Sequence, residues 1–450
     1  MPSYRGLPDP YPIAPVDHPL VGEVIVPGSK SITNRALLVA AAARGTTKLH
    51  GVLASDDTEA MIETLRALGI EIEHDEVACA AVVAGLGGAP DSRGARGVAG
   101  VVGVNVRKSG TTARFMVPFL SAGRGSFDVD AHEQMRLRPM DDLFAALREL
   151  GVRAEPLGKA GHLPLRIEAT GIPGGEVEVS GSVSSQFLSG LLLAAPLAEG
   201  PLVINVTGQL VSIPYVDLTL SVMRSFGAVV DNQNYARLVI EPTGYTSPGN
   251  YAIEPDASAA SYFFAAAVAT GGRVRIMGLG AQAEQGDVRF ADVLGELGAT
   301  VSRSIDALEV SANGQLRGGV VNMGDCSDTA QTLAAIAPLA AGPISVTGIG
   351  FIRNKETDRI AGVVTELRRL GIAATEDEDG FTITPGTVQP AVVETYDDHR
   401  MAMSFSILGL AAPGVAIGNP GCVAKTFPTF FDVIERLRTA PSESDPRMQP

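Results

Sequence analysis

Asp328-Thr-Ala-Gln-Thr-Leu-Ala-Ala-Ile-Ala-Pro-Leu-Ala-Ala-Gly342 is apolar nearly all round and closes on glycine. A helix of that composition is buried on every side. Segments of the same kind lie at 35–45, 112–123, 184–200, 258–271 and 400–414. Their closing glycines, with Gly342, are 78, 77, 71, 71 and 72 residues apart. Six copies at near-constant spacing predict a repeat architecture. Each closing glycine is expected to be a left-handed C-cap. Pro118, Pro196, Pro338 and Pro413 predict short or kinked helices.

A second series interleaves with the first. Leu65, Leu147, Met223, Leu294 and Leu367 each stand four residues before a glycine: Gly69, Gly151, Gly227, Gly298 and Gly371. Met61, Ile62, Leu65 and Leu68 mark one helical face, as do Ile360, Val363, Val364, Leu367 and Leu370. These are amphipathic surface helices with a glycine stop. Strand-like runs follow, such as Ile70-Glu-Ile-Glu73, and 429–437 reads as a sixth copy cut short by the chain end. Asp57, Asp141, Asp217, Asp287 and Asp358 fall near the helix starts. They are expected to be N-caps, which removes them from the catalytic candidates. The chain thus reads as α/β: six units of about 75 residues, three to a domain, with a turn-rich stretch at 244–250 between units three and four.

Composition bounds the function. The 450 residues are 45% hydrophobic and 19% charged, a globular balance. A net charge of −15 opposes general binding to nucleic acid or an anionic membrane. Screening over about 8 Å still permits a local basic pocket. Cys79, Cys326 and Cys422 are widely spaced, so neither a zinc site nor a disulfide framework is expected, and no metal or cofactor is assigned. No apolar run reaches the ~18 residues of a membrane span. The start does not read as a signal peptide, the tail from Pro441 is polar and expected to fray, and the expected compartment is the cytoplasm.

Polar and basic groups gather where the buried helices begin. The stretches are Pro27-Gly-Ser-Lys-Ser-Ile-Thr-Asn-Arg35, Lys108-Ser-Gly-Thr-Thr-Ala-Arg114, Ser182-Val-Ser-Ser-Gln-Phe187, Cys326-Ser-Asp-Thr-Ala-Gln331 and Tyr396-Asp-Asp-His-Arg400. Helix N-termini attract anions. Several of them facing one cleft would make an anion trap inside an acidic protein. Gly28-Ser-Lys-Ser31 fails the Walker A spacing, and neither a Gly-x-Ser-x-Gly elbow nor a helix-opening GxGxxG is present. The pattern suits two anionic substrates.

These motifs, with Arg138-Pro139, Lys355-Glu-Thr-Asp-Arg359, Asp398-His-Arg-Met-Ala-Met403 and Lys425-Thr-Phe-Pro428, resemble the 5-enolpyruvylshikimate-3-phosphate synthase family over about residues 20–437. The resemblance implies a two-domain inside-out α/β barrel of six βαβαββ repeats. One domain would comprise 1–28 plus 254–450 and the other 29–253, with the active site in the interdomain cleft. It implies transfer of the enolpyruvyl group of phosphoenolpyruvate to the 5-hydroxyl of shikimate 3-phosphate, in aromatic amino acid biosynthesis, by a monomer. Lys30 would touch both substrates, as would Gln186. Ser31, Arg35, Ser184, Ser185, Ser212 and Tyr215 would hold shikimate 3-phosphate. Gly110, Arg138, Arg359, Arg400 and Lys425 would hold phosphoenolpyruvate. Asp328 would accept the hydroxyl proton with Lys355 beside it, and Glu356 and His399 would shuttle protons. Asp358 stays a cap. Gly110, lacking a methyl, implies inhibition by glyphosate. Phe351, Lys108, Phe115 and Asn354 depart from the family pattern. Two alternatives stay open. One is the sister enolpyruvyl transferase acting on UDP-N-acetylglucosamine, which uses a loop cysteine. The other is a ligand-binding member of the fold without catalysis.

Overall fold

A computed structural model describes residues 4–92, 100–182 and 184–439. The tail expected to fray lies outside the described residues. The chain forms two compact units, Gly28–Ile253 (the inserted unit) and the residues up to Pro27 with those from Glu254 onward (the flanking unit). The first junction falls one residue earlier than the sequence placed it. Gly28 packs within the inserted unit, where a Cβ on it would lie 1.7 Å from the Gly51 carbonyl oxygen. Each unit has its own apolar core.

The second repeat shows the unit plan. Strand Val101–Asn105 leads into the buried helix Gly110–Ser121, strand Arg124–Asp130, the outer helix Asp141–Glu149, and strands Arg153–Pro156 and Leu165–Thr170. The first two strands are parallel, and the fourth lies antiparallel between the second and third. Five four-stranded sheets share this order. Two of them borrow their first strand from a distant part of the chain. Asn250–Ala252 pairs with Thr46–His50 in repeat one, and Val21–Val24 pairs with Arg273–Met277 in repeat four. The sixth sheet has three strands, Ala391–Val393, Val415–Ile417 and, antiparallel, Tyr11–Pro12. The chain's beginning thus supplies the antiparallel neighbour that the truncated last repeat lacks. Tyr11 also stacks edge-on against Phe431, 4.8 Å between centroids.

The inner helices are Lys30–Ala42, Gly110–Ser121, Ser185–Ala194, Ala257–Thr270, Ala330–Ile336 and His399–Ala411. In the flanking unit Ser261, Thr332 and Ser404, each ten residues before its closing glycine, meet hydroxyl to hydroxyl at 3.2 and 3.3 Å. Small side chains at this level let the three helices close together while every hydroxyl keeps a partner. Pro196 and Pro338 turn the ends of two inner helices into 3₁₀ turns, and Pro118 stays inside its helix.

Two expectations about the ends need correction. Of the six closing glycines only Gly271 is a left-handed C-cap, with φ 76°. The others stand beyond their helices, because the chain leaves each earlier. The outer series behaves as read. Gly69, Gly151, Gly227, Gly298 and Gly371 all have positive φ. The residue after each donates its N–H to the carbonyl of Leu65, Leu147, Met223, Leu294 or Leu367. These are five Schellman stops, each a conformation that favours glycine. Of the five aspartates read as caps, Asp358 alone caps its helix, accepting from the N–H groups of Ile360 and Ala361. Asp57 and Asp141 already lie in the first turns of Asp56–Ala67 and Asp141–Glu149, Asp217 lies inside Ile213–Ser225, and Asp287 sits in a 3₁₀ turn. Among the described residues no helix is long and apolar enough to cross a membrane.

Candidate active site

The inserted unit presents its candidate groups at the starts of its inner helices. Ser29 caps Lys30–Ala42 and puts Lys30 in the first turn, where its Nζ lies 3.7 Å from the buried Asp57. One turn on, Arg35 is 2% exposed. It donates to the Ser31 carbonyl (2.9 Å), Thr219 Oγ1 (2.8 Å), the Tyr215 carbonyl (3.2 Å) and Ser189 Oγ (3.4 Å). The Phe115 ring lies 5.0 Å beneath its guanidinium. Burial among neutral acceptors pulls its pKa down to about 10. Gly110 opens the second inner helix beside two guanidinium groups. A Cβ there would stand 2.5 Å from an Arg138 nitrogen and 2.6 Å from an Arg114 nitrogen. Arg114 itself bonds the Gly110 carbonyl and lies over the Phe187 ring. Ser184 caps the third helix, with Ser185 buried behind it and the Gln186 amide 3.4 Å from Thr111 Oγ1. Ser212 is buried in a left-handed conformation (φ 56°) at the head of Ile213–Ser225 and makes no side-chain cap bond. Such strain is held only where surroundings over-determine it.

The flanking unit brings Asp328, Glu356, Arg359, His399, Arg400 and Lys425 into one ion network. Arg359, 2% exposed, begins the outer helix Arg359–Arg369. It donates to Asp398 (2.8 Å), Asp328 (3.0 Å) and Glu356 (2.8 Å). Burial disfavours its charge, but the three carboxylates outweigh burial and hold its pKa above the usual range. Arg400 donates to the other Asp328 oxygen at 2.7 Å and approaches Ser258 at 3.4 Å. Lys425 Nζ is 3.9 Å from Glu356, and His399 Nδ1 is 3.5 Å from Asp398. Asp398, fully buried, caps the inner helix His399–Ala411. Lys355 sits 5.9 Å from the centroid of the Phe351 ring. Glu356 and Asp358 diverge, one to Arg359 and Lys425, the other to its helix and Arg353.

Three residues set aside on sequence belong to this machinery. Asp57 is the carboxylate beside Lys30. Asp287 accepts a very short hydrogen bond from Ser258. Burial first, then the Asp328 charge, raises Asp287 to about 6. Asp398 stood in a quoted motif but received no role, although a carboxylate before His-Arg at a helix start is a cap by composition. The cations of the flanking unit are not an open anion trap. Arg359, Arg400 and Lys425 each meet a carboxylate, so cations and proton-accepting groups stand side by side there. Cys326 is buried and its thiol is pushed up to about 12, chiefly by burial. No group of three or more His, Cys, Asp or Glu among the described residues is placed to hold a metal ion.

The EPSP synthase (3-phosphoshikimate 1-carboxyvinyltransferase) family model matches residues 16–434. A 3-phosphoshikimate 1-carboxyvinyltransferase of Marinomonas sp. (strain MWYL1) is 42% identical over 92% of this chain and 96% of its own. One of Sulfurovum sp. (strain NBC37-1) is 43% identical over the same shares. A crystallographic EPSP synthase from Acinetobacter baumannii superposes with a TM-score of 0.79 at 27% identity, covering 95% of this chain and 97% of that one. Fold and likeness together define a transferase of the two-domain, six-repeat α/β class. The chain belongs to the EPSP synthase family.

Proposed function

We infer that the protein transfers the enolpyruvyl group of phosphoenolpyruvate to the 5-hydroxyl of shikimate 3-phosphate and releases phosphate. The observation that carries the assignment of roles is the flanking network, in which Arg359, Arg400 and Lys425 alternate with Asp328, Glu356 and Asp398. Cations bind the phosphate and carboxylate of phosphoenolpyruvate, and carboxylates within hydrogen-bond reach move protons. Asp328, 15% exposed at its side chain, accepts the hydroxyl proton as oxygen adds to C2. C3 takes a proton from Glu356 or His399. Phosphate then leaves C2 and C3 returns the proton, restoring the double bond.

In the inserted unit, Ser31, Arg35, Ser184, Ser185, Ser212 and Tyr215 hold shikimate 3-phosphate; Lys355, a residue of the flanking unit, is assigned to its hydroxyl. Lys30 and Gln186 reach both substrates, and Gly110 and Arg138 complete the phosphoenolpyruvate contacts. The left-handed Ser212 supports its role, since its hydroxyl is held at a helix N-terminus without capping it. UDP-N-acetylglucosamine as acceptor is disfavoured, because the matching family model and the relatives of about 42% identity are 3-phosphoshikimate 1-carboxyvinyltransferases. We assign the protein to the cytoplasm as a monomer, which gel filtration checks.

The test is phosphate release from phosphoenolpyruvate with either acceptor. Turnover with shikimate 3-phosphate alone, lost in Asp328→Ala, supports the assignment. Turnover with the sugar nucleotide overturns it, and binding of both ligands without turnover favours the non-catalytic reading.

A further inference from the structure

Arg400 and Lys425 reach the ion network from two segments that share an unusual construction. The turn before His399–Ala411 contains two consecutive left-handed residues, Tyr396 and Asp397, both at φ 55°. The 3₁₀ segment Pro420–Lys425, which ends on Lys425, is headed by a third, Asn419 at φ 48°. None is glycine. Side chains enter that region at a cost, and persist there where neighbours hold them.

The neighbours are specific. The Tyr396 hydroxyl donates to Glu366 Oε1 at 2.6 Å, and Glu366 is fully buried. The other Glu366 oxygen accepts the Glu394 backbone N–H at 2.9 Å, and Arg369 bridges both oxygens at 3.0 and 3.2 Å. The tyrosine ring packs over Gly362 of the same helix, where a Cβ would stand 3.5 Å from it, an ordinary contact. On the far side of the turn, Asn419 Nδ2 donates to the Asp397 carboxylate at 3.2 Å. The Asn419 N–H is in turn held by the Asp9 carboxylate at 2.9 Å. Glu366 lies on the same helix that begins with Arg359, two turns further along. One helix therefore grips the turn twice: Arg359 holds the Asp398 carboxylate, and Glu366 holds the strained turn before it.

We propose that Glu366, Tyr396, Asp397 and Asn419 form a brace that sets the positions of Arg400 and Lys425, and that these four are positioning residues for phosphoenolpyruvate binding. None of them touches substrate in this assignment, which rests on the roles given to Arg400 and Lys425 above. The brace explains why a buried carboxylate and three strained residues are gathered outside the ion network, where capping or core packing would not require them.

The tests are Tyr396→Phe, which keeps the ring and removes the hydroxyl, and Asn419→Gly, which relieves the left-handed strain and removes the amide bond to Asp397. Misplacement of a binding group by an ångström costs up to about a hundredfold. We expect the KM for phosphoenolpyruvate to rise about tenfold in each, with the KM for shikimate 3-phosphate within about twofold of wild type. Asn419→Gly should melt no lower than wild type, so its lost affinity cannot be a folding defect. In the ligand-free protein, amide hydrogen exchange at residues 398–403 should speed about tenfold in Tyr396→Phe. Unchanged KM for phosphoenolpyruvate, or both KM values rising together, overturns the proposal. If wild type itself fails to turn over, the functional assignment falls, and the exchange measurement alone decides the brace: faster exchange sustains it, unchanged exchange refutes it.

Discussion

Gly110→Ala separates stability from binding by sign. The backbone at 110 does not need glycine, since its φ is outside the positive range that holds many of the other glycines. In the first turn of Gly110–Ser121, alanine in place of glycine should favour the helix by about 0.5–1 kcal/mol. The nearest atoms to the new methyl are guanidinium ends, at 2.5 Å for Arg138 and 2.6 Å for Arg114. These are flexible tips, and they must retreat by roughly 1 Å to reach ordinary contact. The fold therefore tolerates the change, and the displacement falls on the cations. A shift of that size in a positioned group costs between ten- and a hundredfold, or about 1.4–2.7 kcal/mol. The prediction is a melting temperature equal to or above wild type, with a KM for phosphoenolpyruvate raised by that factor and the KM for shikimate 3-phosphate little changed. Glyphosate inhibition should weaken by at least as much. Thermal melts and steady-state kinetics with each substrate varied in turn provide the check. A KM for phosphoenolpyruvate within twofold of wild type would refute the reasoning, because Arg138 would then bind no part of that substrate.

Asp328→Ala removes the carboxylate shared by Arg359 and Arg400 and should lower kcat by about 10²–10⁴ while substrate binding, read by calorimetry, persists; retained kcat assigns the base elsewhere. Arg35→Lys cannot reproduce four bonds to four acceptors, so the KM for shikimate 3-phosphate should rise about tenfold without a change in that for phosphoenolpyruvate; equal effects on both would count against the assignment. Asp287, raised to about 6 by burial and by Asp328, binds its proton more tightly folded than unfolded. Its stabilisation is complete below about pH 4 and is lost as pH rises through about 6, a change of roughly 3 kcal/mol. Urea melts of wild type and Asp287→Asn should therefore diverge over that window, the variant gaining relative stability with rising pH. A constant difference between pH 4 and 7 would show that Asp287 does not titrate there.

How much of this was legible in the chain depends on range. Local order was. The spacing of Leu65 to Gly69 and its four counterparts marks the Schellman stops, because a left-handed residue after a helical turn calls for glycine whatever surrounds it. The inner helices were legible from their all-round apolarity. Long-range pairing was not. Nothing in Tyr11-Pro12 announces Ala416 and Ile417 as partners, nor in 250–252 the strand at 46–50, since a sheet edge is completed by backbone groups that every residue carries. The aspartates failed for a third reason. A cap and a first-turn carboxylate differ by one or two positions, and that offset turned Asp57 toward Lys30 and Asp287 toward Ser258 rather than onto their own helices.

The two units handle charge differently, and the difference fits the chemistry assigned to each. In the inserted unit the buried Arg35 bonds four neutral oxygens and rests on a phenyl ring, with no ion pair to a carboxylate among the described residues. Burial there opposes the charge, and a bound anion would repay that cost. A phosphomonoester, about doubly charged near neutrality and outside the proton transfers of the reaction, suits such a site. In the flanking unit Arg359 is enclosed by Asp398, Asp328 and Glu356, and a fourth carboxylate, Asp287, sits near enough to Asp328 to feel its charge. Four carboxylates among three cations leave one negative charge in excess while Asp287 is ionised, and none of either sign when it is protonated. An entering trianion such as phosphoenolpyruvate then favours protonation of a neighbouring carboxylate, because each added negative charge raises the carboxyl pKa values around it. On the roles proposed above, the same event that fills the site would load it with the proton that C3 must receive. A pH titration of phosphoenolpyruvate binding should accordingly show net proton uptake near neutrality, abolished or reduced when Glu356 is replaced by glutamine. Binding without proton uptake, measured by calorimetry in buffers of different ionisation enthalpy, would mean that the proton C3 receives does not come from Glu356.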